Sequence, residues 1–257
     1  MVWNEKLKRE IPDGWSVAKV LELAKTHSGG TPTSTKAEYY NSSDVPWINS
    51  SELNEPFIVS TENFISYLGL SESSAKIYPA NTVLVAMYGA TAGKVSYLSF
   101  DAASNQAVCG VIPNDTIDTE FIYFALSSLC DHYISISSGS ARDNISQAVI
   151  RDTVLLSPPI QMLQTFHSSV FPLFNRIVEC KNEIETLTAL REELLPLLMN
   201  GQVSVKPTAV NCDLALLKNI DKLHCHNTRL CSSRVIINHK GKKIQTISHW
   251  LLSMICY

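Results

Sequence analysis

Several segments of the 257-residue sequence carry residue types whose spacing is suggestive of chemistry. Gly89-Ala-Thr-Ala-Gly93-Lys94-Val95 has the glycines and lysine of a phosphate-binding loop. A Walker-type loop needs four residues between its glycines, so that successive backbone N–H groups curl round the phosphates, and a Ser or Thr after the lysine to hold magnesium. Here three residues intervene and Val95 follows, so the segment reads as a tight turn that presents Lys94 to a phosphate, without NTPase chemistry. Ser157-Pro-Pro-Ile160 shares its two prolines with the motif by which amino-methyltransferases grip a flipped base. It lacks both the amide or acid for the target amino group and the aromatic that stacks on the base, so no methyl transfer is expected from this chain alone.

Metal and nucleophile chemistry fare no better. Cys212, His224, Cys225, His226, Cys231 and His239 do not form two close ligand pairs, and adjacent His-Cys-His residues cannot all point at one tetrahedral centre, so no metal site is expected. His27, His132 and His167 have no Gly-x-Ser-x-Gly elbow nearby, so no catalytic residue is assigned. What remains is a set of polar, glycine-containing loops, each with a cation, an amide or an aromatic: Gly29, Gly30 and Thr31 with Lys36; Tyr88, Thr91, Gly93 and Lys94; Gln106; and Gly139, Ser140, Arg142 and Asn144. Backbone N–H groups, hydroxyls and cations hold phosphates, and Arg, Asn and Gln read base edges.

The elements that must position these loops follow from periodicity. Val45-Pro-Trp-Ile48, Thr82 to Met87, Ala107 to Ile112 and Thr153 to Leu156 are apolar or β-branched runs bounded by turn residues, and predict buried strands. Ser16 to Lys25 and Asp118 to Ser135 carry apolar residues near helical spacing and predict helices. Beyond Pro158-Pro159 the period changes. Leu163, Val170, Ile177, Ile184, Arg191 and Leu198 fall at position a of a heptad, and Phe166, Leu173, Cys180, Leu187 and Leu194 at d. The expectation is a coiled-coil helix of about 60 Å that pairs with a second helix through Leu163, Phe166, Val170, Leu173, Ile177, Ile184, Leu187, Leu194 and Leu198. Pro172 predicts a kink or a short preceding helix, and Gly201 a left-handed cap. The resulting fold class is α+β: a mixed α/β domain over residues 1–160, a long helix over 161–205 and a poorly specified tail over 206–257.

Composition sets bounds on function. A hydrophobic content of 45% supports a core. The longest uncharged stretches, Ile77 to Gly93 and Thr153 to Asn175, are broken by prolines and Gly89, so no membrane span is expected. The charged N-terminus and the odd count of seven cysteines argue for a cytoplasmic protein with reduced thiols. Residues 1–160 hold 10 Lys and Arg against 17 Asp and Glu, a net of −7, residues 161–206 net −1 and residues 207–257 net +5. Binding to nucleic acid by bulk positive charge is thereby excluded.

The ordered set Ile11-Pro-Asp-Gly-Trp15, Ser28-Gly-Gly-Thr-Pro32, Tyr39-Tyr40, Val45-Pro-Trp-Ile48, Tyr88-Gly-Ala-Thr-Ala-Gly-Lys94, Asn105-Gln-Ala107, Gly139 to Ser146, Pro158-Pro159 with Gln164, and Leu187 to Gly201 resembles the DNA specificity subunit of type I restriction-modification systems. The resemblance spans roughly residues 3–205 and implies a target recognition domain followed by a spacer helix. It implies a non-catalytic reader of half of a bipartite site in double-stranded DNA, docked to methyltransferase subunits and, in the complete complex, restriction subunits. S-adenosylmethionine, ATP and magnesium would belong to those partners, with no cofactor on this chain. The family's full-length subunit has two such units and this sequence has one, which implies a half subunit that forms a homodimer or pairs with another half subunit and reads an interrupted palindrome. The loop residues Gly29, Gly30, Thr31, Tyr88, Gly93, Lys94, Gly139, Ser140 and Arg142 match positions in or beside the family's DNA-facing loops. The alternatives are a coiled-coil assembly protein with a protein-binding head, and a silent specificity cassette whose tail after Lys206 departs from the family.

Overall fold

The computed structural model describes residues 1–5, 7–114, 117–137 and 144–203. Gly139, Ser140 and Arg142, and the tail over 206–257, lie outside the described residues. The chain divides into a compact unit, Met1–Leu187, and a second unit from Thr188 onward.

The first unit opens with a hairpin of β1 (Val2–Asn4) and β2 (Arg9–Ile11), followed by β3 (Ser16–Lys19), the short helix α1 (Val20–Leu23) and β4 (Ala24–Ser28). β5 (Val45–Ile48), β6 (Phe57–Ile58), β7 (Phe64–Ile65), α2 (Tyr67–Ser71), β8 (Thr82–Ala86), β9 (Val95–Leu98), β10 (Ala103–Ser104) and β11 (Val108–Pro113) come next. The helices α3 (Thr119–Ser127), α4 (Cys130–Ser137) and α5 (Gln147–Asp152) lead to β12 (Val154–Ser157) and to α6 (Ile160–Met199), which crosses from the first unit into the second.

The central sheet has the order β4-β11-β8-β9-β6, antiparallel except where β6 joins β9. A smaller sheet, β10-β5-β7, lies beside it, and β12 pairs antiparallel with β3. Side chains alternate across a strand, and in β8 Val83 and Val85 enter one core while Leu84 and Ala86 enter another. All five residues of that strand are buried, which is why Val83 to Ala86 form a continuous apolar run, and the hydroxyl of Thr82 donates to the Pro79 carbonyl. The first core packs the sheet against α3 and α6 through Ile122, Leu126, Leu163 and Phe174; the second packs it against Ile48, Leu53 and Tyr78.

Two expected helices are corrected. Ser16 to Lys25 is divided into strand, single turn and strand, because Val17 and Ala18 pair with Leu156 and Leu155 of β12 while Lys25 and Thr26 pair with β11. Asp118 to Ser135 is broken into α3 and α4. Pro172 sits inside the single helix α6, so no separate short helix precedes it.

The face of α6 that meets its own domain follows the true helical period. Leu163 is buried, Phe166 packs edge-on against Phe121 and Phe124, and Val170 and Val178 lie against the core. Phe174 is held among Phe57, Tyr97 and Tyr123 at ring-centroid distances of 4.9, 5.0 and 5.4 Å. Further along, Lys181 donates to Glu55 Oε2 at 2.6 Å and to the Phe57 carbonyl at 3.0 Å, and Ser60 Oγ donates to Glu185 at 2.7 Å. A 3.5-residue repeat and a 3.6-residue face coincide for three turns and then part. Leu163, Phe166 and Val170 are therefore engaged within the chain instead of remaining open to a second helix, whereas Leu173, Ile177, Ile184 and Leu187 are exposed. In the C-terminal turns of the helix Leu194 and Leu198 are exposed as well.

Candidate nucleic-acid interface

The polar loops expected to face a ligand are stitched together by backbone hydrogen bonds. At the end of β4, Gly29 N–H donates to the Val108 carbonyl and Gly30 N–H to the Ser104 carbonyl, at 3.1 and 2.8 Å. Both glycines are needed for close approach: a Cβ on Gly29 would lie 2.2 Å from the Ser104 carbonyl oxygen, and one on Gly30 2.4 Å from the Ala75 nitrogen. They are buried, so their part is to carry Thr31 to the surface. There Thr31 Oγ1 donates to the Gln106 side-chain carbonyl, joining two exposed residues 75 positions apart in sequence.

Gln106 itself stands on a fixed turn. Asn105 N–H donates to the Ile48 carbonyl, Val108 N–H to the Asn105 carbonyl, and Ala107 N–H to Asn105 Oδ1 at 3.0 Å. Asn105 Nδ2 also reaches Asn49 Oδ1 at 3.3 Å, bringing the end of β10 to the end of β5. Asn49 opens a 3-10 turn, Ser50–Asn54, as a capping box in which the Glu52 carboxylate accepts the Asn49 N–H at 2.8 Å.

The turn between β8 and β9 completes the set. Gly89 and Gly93 adopt φ of +78° and +85°, which few other residues tolerate. Gly93 N–H donates to the Ala86 carbonyl, and a Cβ on it would meet Tyr133 and the Cys130 carbonyl at 3.1 and 3.2 Å. Thr91 is buried, so it shapes the turn and its side chain does not face outward. Lys94 Nζ donates to Asn54 Oδ1 at 2.5 Å, which directs the cation toward the Ser50–Asn54 turn. Tyr88, 38% exposed, bridges Asn144, and Ile145 N–H donates to the Met87 carbonyl.

Thr31, Gln106, Tyr88, Asn144 and Lys94 are thus brought onto loops that hydrogen-bond one another, with Gly29, Gly30, Thr91 and Gly93 beneath as framework. Lys36 is engaged differently: it donates to Glu72 at 3.0 Å, lies 4.7 Å above the Tyr39 ring, and has its pKa raised by its bonds to Tyr39 and Glu72. Tyr39 OH donates to the same Glu72 carboxylate, whose pKa these bonds lower. Asn49 and Asn54 were not among the sequence candidates; the Asn-x-x-Glu spacing of Asn49 and Glu52 was the available signal.

Among the described residues one group has metal-ligating donors together, Asp118, Glu120 and His167, within 4.8 Å of one another. His167 Nδ1 lies 3.1 Å from the buried Glu120 carboxylate and 3.7 Å from Asp118. Both acids sit at the start of α3, where the helix dipole favours negative charge. Burial raises the Asp118 pKa. The hydrogen bond between His167 and Glu120, with Asp118 beside it, ties α3 to α6.

The comparisons with known proteins come down on one family. The sequence profile described as "Type I restriction modification DNA specificity domain" matches residues 12–187. The specificity subunit of the type I restriction enzyme HindI from Haemophilus influenzae is 30% identical over 197 residues, which is 75% of this chain and 42% of that subunit. The MjaIX specificity subunit of Methanocaldococcus jannaschii is 26% identical over 211 residues, covering 80% and 48%. The chain therefore spans less than half the length of these curated relatives. The crystal structure of a type I restriction-modification S subunit from M. genitalium superposes with a TM-score of 0.54 at 17% identity, over 71% of this chain and 45% of that one, a likeness of fold. No described helix is long and apolar enough to cross a membrane. On the strength of the profile match, the chain belongs to the family of type I restriction-modification DNA specificity domains.

Proposed function

We propose that this chain is the sequence-reading component of a type I restriction-modification complex and that it reads one half of a bipartite target in double-stranded DNA. The observation that carries the proposal is the convergence of Thr31, Lys94, Gln106 and Asn144 on loops locked to one another by backbone hydrogen bonds. A cation, a hydroxyl and amides on rigid backbone are what reading a groove requires. The chain transfers no methyl group and cuts no strand; methyltransferase subunits, and restriction subunits where present, bring S-adenosylmethionine, ATP and magnesium.

The charge distribution supports a division of labour. A net of −7 over residues 1–160 makes a poor free-standing DNA binder, so partner subunits supply much of the phosphate contact. The exposed residues Leu173, Ile177, Ile184 and Leu187 favour pairing of α6 with a second helix, from another copy or another half subunit. Two copies related by a twofold axis would read an interrupted palindrome. The test is duplex binding at physiological salt by the chain alone and with its methyltransferase: weak, nonspecific binding alone and site-specific binding together are expected. Tight binding of random duplex by the isolated chain would contradict the division of labour.

A further inference from the structure

Thr31 and Gln106 form a hydrogen-bonded pair at the surface, each on a backbone that is itself held in place. Neither backbone is free to adjust: Thr31 follows two glycines with no room for a side chain, and Gln106 occupies a turn closed by the Asn105 side chain on the Ala107 N–H. The Thr31 hydroxyl donates to Gln106 Oε1, which holds the side-chain amide in place at the surface. A carboxamide oxygen accepts two hydrogen bonds, so one acceptor site on Oε1 and both N–H donors of Nε2 remain for a ligand. An acceptor beside a donor matches the major-groove edge of adenine, where N6–H donates and N7 accepts. Guanine offers two acceptors there and would oppose Oε1. Both side chains are exposed, and the pairing lets the glutamine meet a base already oriented.

We propose that Gln106 reads an adenine in the half-site and that Thr31 is the residue that positions it. The inference rests on the reading of this rim as the DNA-facing surface. The experiment is in vitro methylation by the complex of the full chain with its methyltransferase, on duplexes carrying each base in turn at every position of the wild-type target. Gln106→Ala should lower discrimination about 10- to 100-fold at one position that is adenine in the wild-type target, leaving the other positions unchanged. Gln106→Glu, which can only accept, should move preference at that position toward cytosine, whose N4 donates. Thr31→Val should weaken discrimination at the same position and Thr31→Ser should retain it, a pattern that loss of folding would not give. An unchanged target in Gln106→Ala, or relaxation at a base other than adenine, overturns this inference and leaves the recognition role standing. Absence of any site-specific methylation with the wild-type chain overturns the recognition role and this inference with it.

Discussion

The indole Nε1 of Trp47 donates to the carbonyl oxygen of Gly30 at 3.0 Å, joining the smaller sheet to the loop that carries Thr31. Trp47 is 9% exposed, so the bond is made away from water and fixes the loop's exit from β4. Gly29 and Gly30 complete that anchor, since each lies where backbone from a distant segment crosses.

Gly29→Ala should therefore cost about 3 kcal/mol or more through overpacking against backbone that cannot move aside. Gly89→Ala, where open space surrounds the position but φ is +78°, should cost only about 1–2 kcal/mol from conformation. Trp47→Phe should cost about 2–3 kcal/mol, because the buried Gly30 carbonyl is left without its donor. Urea denaturation of the three variants checks the order.

Acid should loosen the same region. His27, stacked on Tyr78 at 4.8 Å, has its pKa lowered by burial and by the nearby Lys76 charge. A depressed folded pKa gives stability that is present above the unfolded value near 6.5 and lost as pH falls through the folded one. Stability should therefore fall as pH drops below about 6.5. The urea midpoint of His27→Phe should fall less between pH 7 and 5 than that of the wild type.

Lys94 provides the test of the proposed DNA contact. Lys94→Glu should abolish site-specific methylation in the assembled complex while leaving the oligomeric state unchanged. Lys94→Ala should weaken binding to all sequences and reduce the salt slope of log K by about 1. Retained methylation with Lys94→Glu would favour a head that binds protein.

The two faces of α6 separate under mutation. Leu163→Ala, in the core, should cost about 2–5 kcal/mol of stability without altering assembly of the folded protein. Ile184→Glu with Leu187→Glu should leave the melting temperature of the domain within a few degrees and abolish pairing, read by light scattering.

Much of this architecture was legible in sequence, and the failures have a common cause. Val45–Ile48 and Thr82–Ala86 were readable as strands because sheets buried on both faces need runs of apolar or β-branched residues. Ser16 to Lys25 was misread because its apolar spacing answers to partners more than 80 residues away, in β11 and β12, which no local period reports. The heptad from Leu163 was readable, but over three turns it cannot be told from the face that Phe174 and Val178 continue. At the site, glycines signalled the loops, whereas the pairing of Thr31 with Gln106 depends on the crossing of β4 and β10, which sequence does not specify.

Whether this chain selects the sequence a methyltransferase modifies is decided by methylome sequencing of cells holding the cognate methyltransferase, with and without the chain. This selection predicts an interrupted palindrome methylated only when the chain is present. No chain-dependent methylation, with the same methyltransferase shown to be active beside another specificity subunit, would contradict it.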